Sequence, residues 1–123
     1  MSTLRVNTLQ DATGSNQPAM VGAAKAWVNF TGAGTPSIRA AFNVSSITDY
    51  AVGGYLVNFT NAMPDSNYGA TALGGDINNG GSFDNTSVTT SDQQTGYIHL
   101  ICRNIQASAA VSDAQFVSVA VFR

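Results

Sequence analysis

Lys25-Ala26-Trp27-Val28-Asn29-Phe30 places apolar Ala26, Val28 and Phe30 at every second position, with Lys25, Trp27 and Asn29 between them. A period of two sends successive side chains to opposite faces of an extended chain, so the stretch reads as a strand with one buried face. Ile38, Ala40, Phe42 and Val44, alternating with Arg39, Ala41 and Asn43, read as a second half-buried strand. Further runs of strand character cover 55–60, 68–73, 97–103 and 115–122, and a weaker one covers 86–90. Clusters such as Gly32-Ala33-Gly34-Thr35-Pro36, Gly53-Gly54 and Met63-Pro64-Asp65-Ser66-Asn67 supply the backbone angles that reversals need. No window carries the i, i+3, i+4, i+7 apolar spacing of a helix. The expectation is an all-β chain, an antiparallel β-sandwich of about six to eight strands. Val28-Asn29-Phe30-Thr31 recurs as Val57-Asn58-Phe59-Thr60, two equivalent strand ends in one sandwich.

Upstream of Lys25 the pattern changes. Leu4, Val6 and Leu9 are the few large apolar side chains of the first two dozen residues, and 11–17 is polar. Such a segment cannot bury itself, so residues 1–24 read as an extended N-terminal arm and 25–123 as the β-sandwich head. Leu4-Arg5-Val6-Asn7 has strand character and is expected to pair with the head or with copies of itself. A chain of 123 residues fits one domain. With one cysteine it lacks an intrachain disulfide, and self-association is a ready way to stabilise so small a fold.

Charge narrows the function classes. Only 10% of the residues are charged, glutamate is absent, and Asn, Ser, Thr and Gly supply the polar surface instead. Five scattered Lys and Arg against seven Asp leave a net charge of -2, which offers no basic face to a nucleic acid and no polybasic segment to a membrane. No apolar run is long enough to span a bilayer, and the N-terminus lacks the apolar core of a secretory signal. Synthesis in the cytoplasm without processing is expected. The four Asn-x-Ser/Thr sequons, at Asn29, Asn43, Asn58 and Asn85, are what the composition yields by chance.

The block 25–30, followed by Gly32 and Gly34, Ser37-Ile38-Arg39 and Phe42-Asn43-Val44-Ser45-Ser46-Ile47-Thr48-Asp49, resembles a segment of the tail-fibre and tail-tip proteins of tailed, especially marine, bacteriophages. Tyr55-Leu56-Val57-Asn58-Phe59-Thr60, Ala62-Met63-Pro64-Asp65, Asn67-Tyr68 and the closing Val117-Ser118-Val119-Ala120-Val121-Phe122 fit the same pattern in the same order, and 4–11 is similar to the arm preceding it. The resemblance covers about two thirds of the chain and carries no catalytic motif. It implies a homotrimeric virion protein, attached to other phage tail or virion proteins, whose outer domain touches a host cell-surface glycan or protein. Two departures, the absence of a long repetitive shaft and the apolar 49–54 turn, favour a short fibre, a tip or a decorating knob. The structural alternative is a capsid- or tail-decorating protein that binds no receptor.

Candidate chemistry is sparse. One histidine, one cysteine, no glutamate and no Gly-x-Ser-x-Gly elbow give little to a nucleophile or a base, and an enzyme is not expected. No cofactor is expected either. Cys102 lies in the apolar run 97–102 and reads as a buried, inert thiol. Asp76, Asp84 and Asp92 with Asn78, Asn79 and Asn85 are oxygen donors, yet their spacing does not match a calcium loop. The stretch 74–94 reads as a long polar loop, and Asp76, Asn78, Asn79, Phe83, Asp84 and Asn85 within it are the receptor-binding candidates, since amides, carboxylates and one aromatic suit sugar hydroxyls and faces. His99 falls on the strand face opposite Ile98, Leu100 and Cys102, and three copies about a three-fold axis would present three imidazoles to one ion. A hydrogen-bonded surface or interface histidine is the plainer reading. Trp27 shares its face with Lys25 and Asn29, so exposure or an interchain contact is expected, with core placement through a register irregularity as the competing account. Leu4, Val6, Leu9, Trp27 and His99 are thus the oligomer-interface candidates. Tyr50, Tyr55 and Tyr68 flank turns, as corner residues or ligand platforms.

Overall fold

Along β1 (Ala24–Thr31) Ala26, Val28 and Phe30 are buried while Trp27 is exposed, as the period of two demands. The computed structural model describes residues 2–3, 23–75, 86–104 and 110–123, and every regular element in them is a strand. After β1 come β2 (Ser37–Phe42), β3 (Val44–Ala51), β4 (Gly54–Phe59), β5 (Gly69–Gly75), β6 (Thr86–Gln93), β7 (Tyr97–Asn104), β8 (Ala110–Val111) and β9 (Phe116–Phe122). They form two antiparallel sheets packed face to face. One has the order β2-β1-β9-β5; the other runs β3-β4-β7-β6, with β8 pairing β7 where β4 has ended. The fold is the expected β-sandwich, with about nine strands.

The core is built from alternate residues of both inner faces. Val28, Phe30, Val117 and Val121 of the first sheet meet Tyr55, Val57, Ile98, Leu100 and Cys102 of the second, all essentially without solvent contact. Phe30 and Tyr55 pack edge to face with centroids 5.3 Å apart, as do Phe59 and Tyr68 at 5.9 Å. The recurring Val-Asn-Phe-Thr segment supplies an equivalent pair of buried side chains to each sheet, Val28 and Phe30 to one and Val57 and Phe59 to the other.

Two sequence expectations are corrected. The run from Ile38 to Val44 is two strands rather than one, because Asn43 adopts φ 54° and breaks it; β2 stays in the first sheet and β3 crosses to the second. Nor is β2 half-buried. All six of its residues are exposed, since it is an edge strand that the opposing sheet does not cover, so alternation in sequence there does not become burial. The second correction concerns 74–94. Gly74 and Gly75 end β5, and 86–93 is one edge strand paired with β7 over almost its whole length. Its Thr, Ser, Asp and Gln content is that of a solvent-facing edge, which in sequence imitates a loop. Residues 76–85, between the two strands, lie outside the described residues.

Turns are fixed by side chains reaching back to the backbone. Asn43 accepts from the Asn61 amide at 2.7 Å through Oδ1 and donates from Nδ2 to the carbonyls of Lys25 and Asn61. Gly53 closes the β3–β4 hairpin at φ 67°, its amide donating to Asp113 Oδ1 at 2.8 Å; a Cβ there would lie 2.6 Å from the Cys102 carbonyl oxygen. Tyr55 and Tyr68 are corner residues. The Tyr55 hydroxyl donates to the Gly32 carbonyl and meets Asp113 Oδ1, while that of Tyr68 reaches the carbonyls of Gln94 and Tyr97. Arg123 pairs in bidentate fashion with Asp65, tying the end of β9 to the β4–β5 turn.

Candidate functional site

A shallow concave surface lies on the outer face of the β2-β1-β9-β5 sheet, and the residues that shape it come from three adjacent strands. On β9 the outward positions are Ser118 and Ala120, both small. Their neighbours on β1 are Asn29 and Trp27, and on β5 Leu73 and Thr71. Small side chains on the central strand between larger ones on its flanks leave a trough along β9, with about 380 Å³ of open space. That lies within the range of about 300–1,000 Å³ for small-ligand sites.

The register decides what each wall carries. Trp27 stands across Ala120 from Thr71; one row along, Asn29 stands across Ser118 from Leu73. Each row therefore has one apolar and one hydrogen-bonding wall, and the two rows are reversed with respect to each other. Asn29 Nδ2 donates to Ser118 Oγ at 2.7 Å, which fixes the amide and turns its carbonyl away from that bond. Trp27 is 40% and Leu73 72% exposed, so both apolar walls are open to solvent. Among the described residues no ionisable side chain lines the trough. Phe42, paired with Trp27 on the far side, extends the apolar face toward the sheet edge.

His99 belongs to the other sheet and to its outer face. Its Nδ1 is 2.7 Å from Ser91 Oγ, the Tyr50 ring meets it edge-on with centroids 5.2 Å apart, and its Nε2 is buried without a hydrogen-bond partner among the described residues. The side of the strand is the one the alternation assigns. Trp27 and His99 thus lie on opposite outer faces of the sandwich and are not parts of one patch. Asp92 accepts from Gln94 Nε2 and from the Tyr97 hydroxyl, a turn-bracing role. Among the described residues no group of three His, Cys, Asp or Glu could hold a metal ion. Cys102 is buried, and burial, reinforced by the negative charge of Asp113, pushes its thiol up to about 11, so it is held as the neutral, unreactive form.

The receptor-binding candidates Asp76, Asn78, Asn79, Phe83, Asp84 and Asn85 lie outside the described residues, as do Leu4, Val6 and Leu9. The trough brings together residues that the sequence does not single out: Thr71, Leu73, Ser118 and Ala120. A signal for them exists. In 117–121 the outward positions, Ser118 and Ala120, are small while the inward ones are valines, the mark of a strand with a depression over its middle. Which strands flank it is not written in that pattern.

The fold is a two-sheet β-sandwich, and this face carries an open trough walled by Trp27 and Leu73 whose described lining holds no charged side chain. No family model matches the chain, and neither the curated proteins nor the solved structures contain a match to it.

Proposed function

We propose that the chain is a structural virion protein of a tailed phage, a short tail fibre or tail tip whose β-sandwich head attaches to the host cell surface without catalysis. The observation that carries the reading is the outer face of the β2-β1-β9-β5 sheet, where Trp27, Phe42 and Leu73 stand exposed around an uncharged trough. Exposed aromatic and aliphatic side chains concentrated on one face mark an interaction surface. The sequence resemblance supports the phage reading, because blocks within 25–68 and the closing 117–122 resemble the tail-fibre pattern in the same order.

In this reading three copies associate through residues 1–24 and through the side of the head that carries Tyr50 and His99. The Trp27 face is left to the ligand. Binding by one head is weak, and three heads per fibre with several fibres per particle raise it through avidity. Antibody labelling of intact particles in the electron microscope tests the assignment. Label confined to the distal tail is the expected result; a regular array over the capsid or tail tube would favour the decorating alternative, and particles without label would overturn a virion role.

A further inference from the structure

We infer that the trough over β9 is a binding site for a neutral pyranose ring of a surface polysaccharide. The inference rests on the attachment reading above and names the ligand class for that face. Three features of the trough carry it.

The first is the wall chemistry. A pyranose has a face of C–H groups and a rim of hydroxyls, so it is held best between an aromatic plane and groups that both donate and accept hydrogen bonds. In the row of Ala120 these are the Trp27 indole on one side and the Thr71 hydroxyl on the other. In the row of Ser118 the polar wall is the Asn29 amide, already oriented by its bond to Ser118 Oγ, and the apolar wall is Leu73.

Spacing is the second. The walls stand two strand separations apart, about 9–10 Å between backbones, and the two rows are about 7 Å apart along the strands. One ring fits between the walls, and the reversed second row offers a neighbouring ring the same pair of surfaces on opposite sides. The two rows accommodate two adjacent rings along β9, between Phe116 and Phe122, the next outward positions of that strand.

The third is charge. Among the described residues no Lys, Arg, His or Asp lines the trough, so a uronate, sialate or phosphate group would lose hydration there without gaining a partner from them. Charge complementarity therefore selects a neutral sugar. Backbone groups of β1 and β9 are committed to ladders on both sides, as are those of β5 that face β9, so recognition within the trough falls to the side chains.

Trp27 is the only tryptophan, which makes its emission a reporter of this site. The full chain is titrated with cellotetraose, maltotetraose, laminaritetraose and chitotetraose, with tetragalacturonate as the acidic comparison. The expected result is a saturable change in emission with at least one neutral tetrasaccharide and none with the acidic one. Thr71→Ala and Asn29→Ala should each weaken that binding several-fold, and Ser118→Tyr, which fills the trough, should abolish it with the circular dichroism spectrum unchanged. Trp27→Ala, followed by calorimetry, should weaken it at least about tenfold.

No saturable change with any neutral tetrasaccharide overturns the inference, as does binding that survives both Ser118→Tyr and Trp27→Ala. A fall in solution mass on Trp27→Ala would make the trough a contact between copies of this chain and would likewise overturn it. Distal-tail labelling together with sugar-silent emission would leave the attachment role standing and remove only the sugar; absence of label from the particle would remove the attachment role itself.

Discussion

Tyr55 joins the two sheets at the level of a single hydroxyl. Its ring fills the core against Phe30, and its oxygen donates to the Gly32 carbonyl at 2.9 Å beside Asp113 Oδ1, which also holds the Gly53 amide. Tyr55→Phe keeps the ring and removes the hydroxyl from this buried cluster. Urea denaturation should show a loss of about 1–2 kcal/mol, the cost of leaving a buried carbonyl without its donor. Two other buried groups set an alkaline limit. Burial and nearby carboxylates hold Tyr68 at about 12 against an ordinary 10.0, and Cys102 at about 11 against 9.0. In the unfolded chain these groups lose their protons first, so the unfolded state binds fewer protons and stability falls as pH rises above about 9, continuing until the folded groups titrate. Denaturation midpoints at pH 8, 9, 10 and 11 should decline in order, and Cys102→Ala, though less stable at pH 8, should flatten the first step of that decline. A thiol reagent should label Cys102 at pH 8 only after denaturant is added.

At the scale of elements the informative residue is Asn43. Its backbone turns the chain out of one sheet into the other at φ 54°, a conformation asparagine tolerates better than most residues, and its amide clasps Lys25 and Asn61 on both sides of the crossing. Asn43→Gly keeps the backbone freedom and loses the hydrogen bonds. Asn43→Ala loses both. Thermal or urea unfolding should therefore rank the two, glycine costing about 1–2 kcal/mol and alanine about 1 kcal/mol more. An equal loss for both would mean that the side chain alone matters. Gly53 poses the sharper case, for its φ of 67° and the nearby Cys102 carbonyl leave no room for a Cβ, so Gly53→Ala should prevent the β3–β4 hairpin from closing and reduce the yield of folded protein.

For the whole molecule the open question is symmetry. Tyr50 and Val52 are exposed at and beside the β3–β4 turn, and Tyr50 packs on His99, on the sheet opposite the trough, so the proposed trimer would use that side and leave the trough free. Light scattering behind size exclusion should give about three times 12.7 kDa. Removing residues 1–24 should lower that mass toward the monomer and lower the unfolding midpoint. A monomer of the full chain at micromolar concentration would rule out the trimer.

Alternation was enough to make the sandwich legible, because a period of two over strands as regular as β1, β7 and β9 has one physical meaning when one face must leave water. The outward direction of Trp27 and His99 followed from the same parity, and the burial of Cys102 from the apolar run 97–102. Edges escaped it: β2 alternates but lies uncovered, and β6 is polar but paired, since burial at an edge depends on what the opposite sheet reaches. The break at Asn43 escaped it too, because a single positive φ leaves alternation intact on either side. The trough was beyond the reach of sequence for a different reason. Trp27, Thr71 and Ala120 are separated by more than forty residues at each step and meet only because β9 pairs with β1 on one side and β5 on the other. Side-chain direction is a local property that one strand settles for itself; which strands become neighbours is settled only when the whole chain finds the arrangement that buries its core.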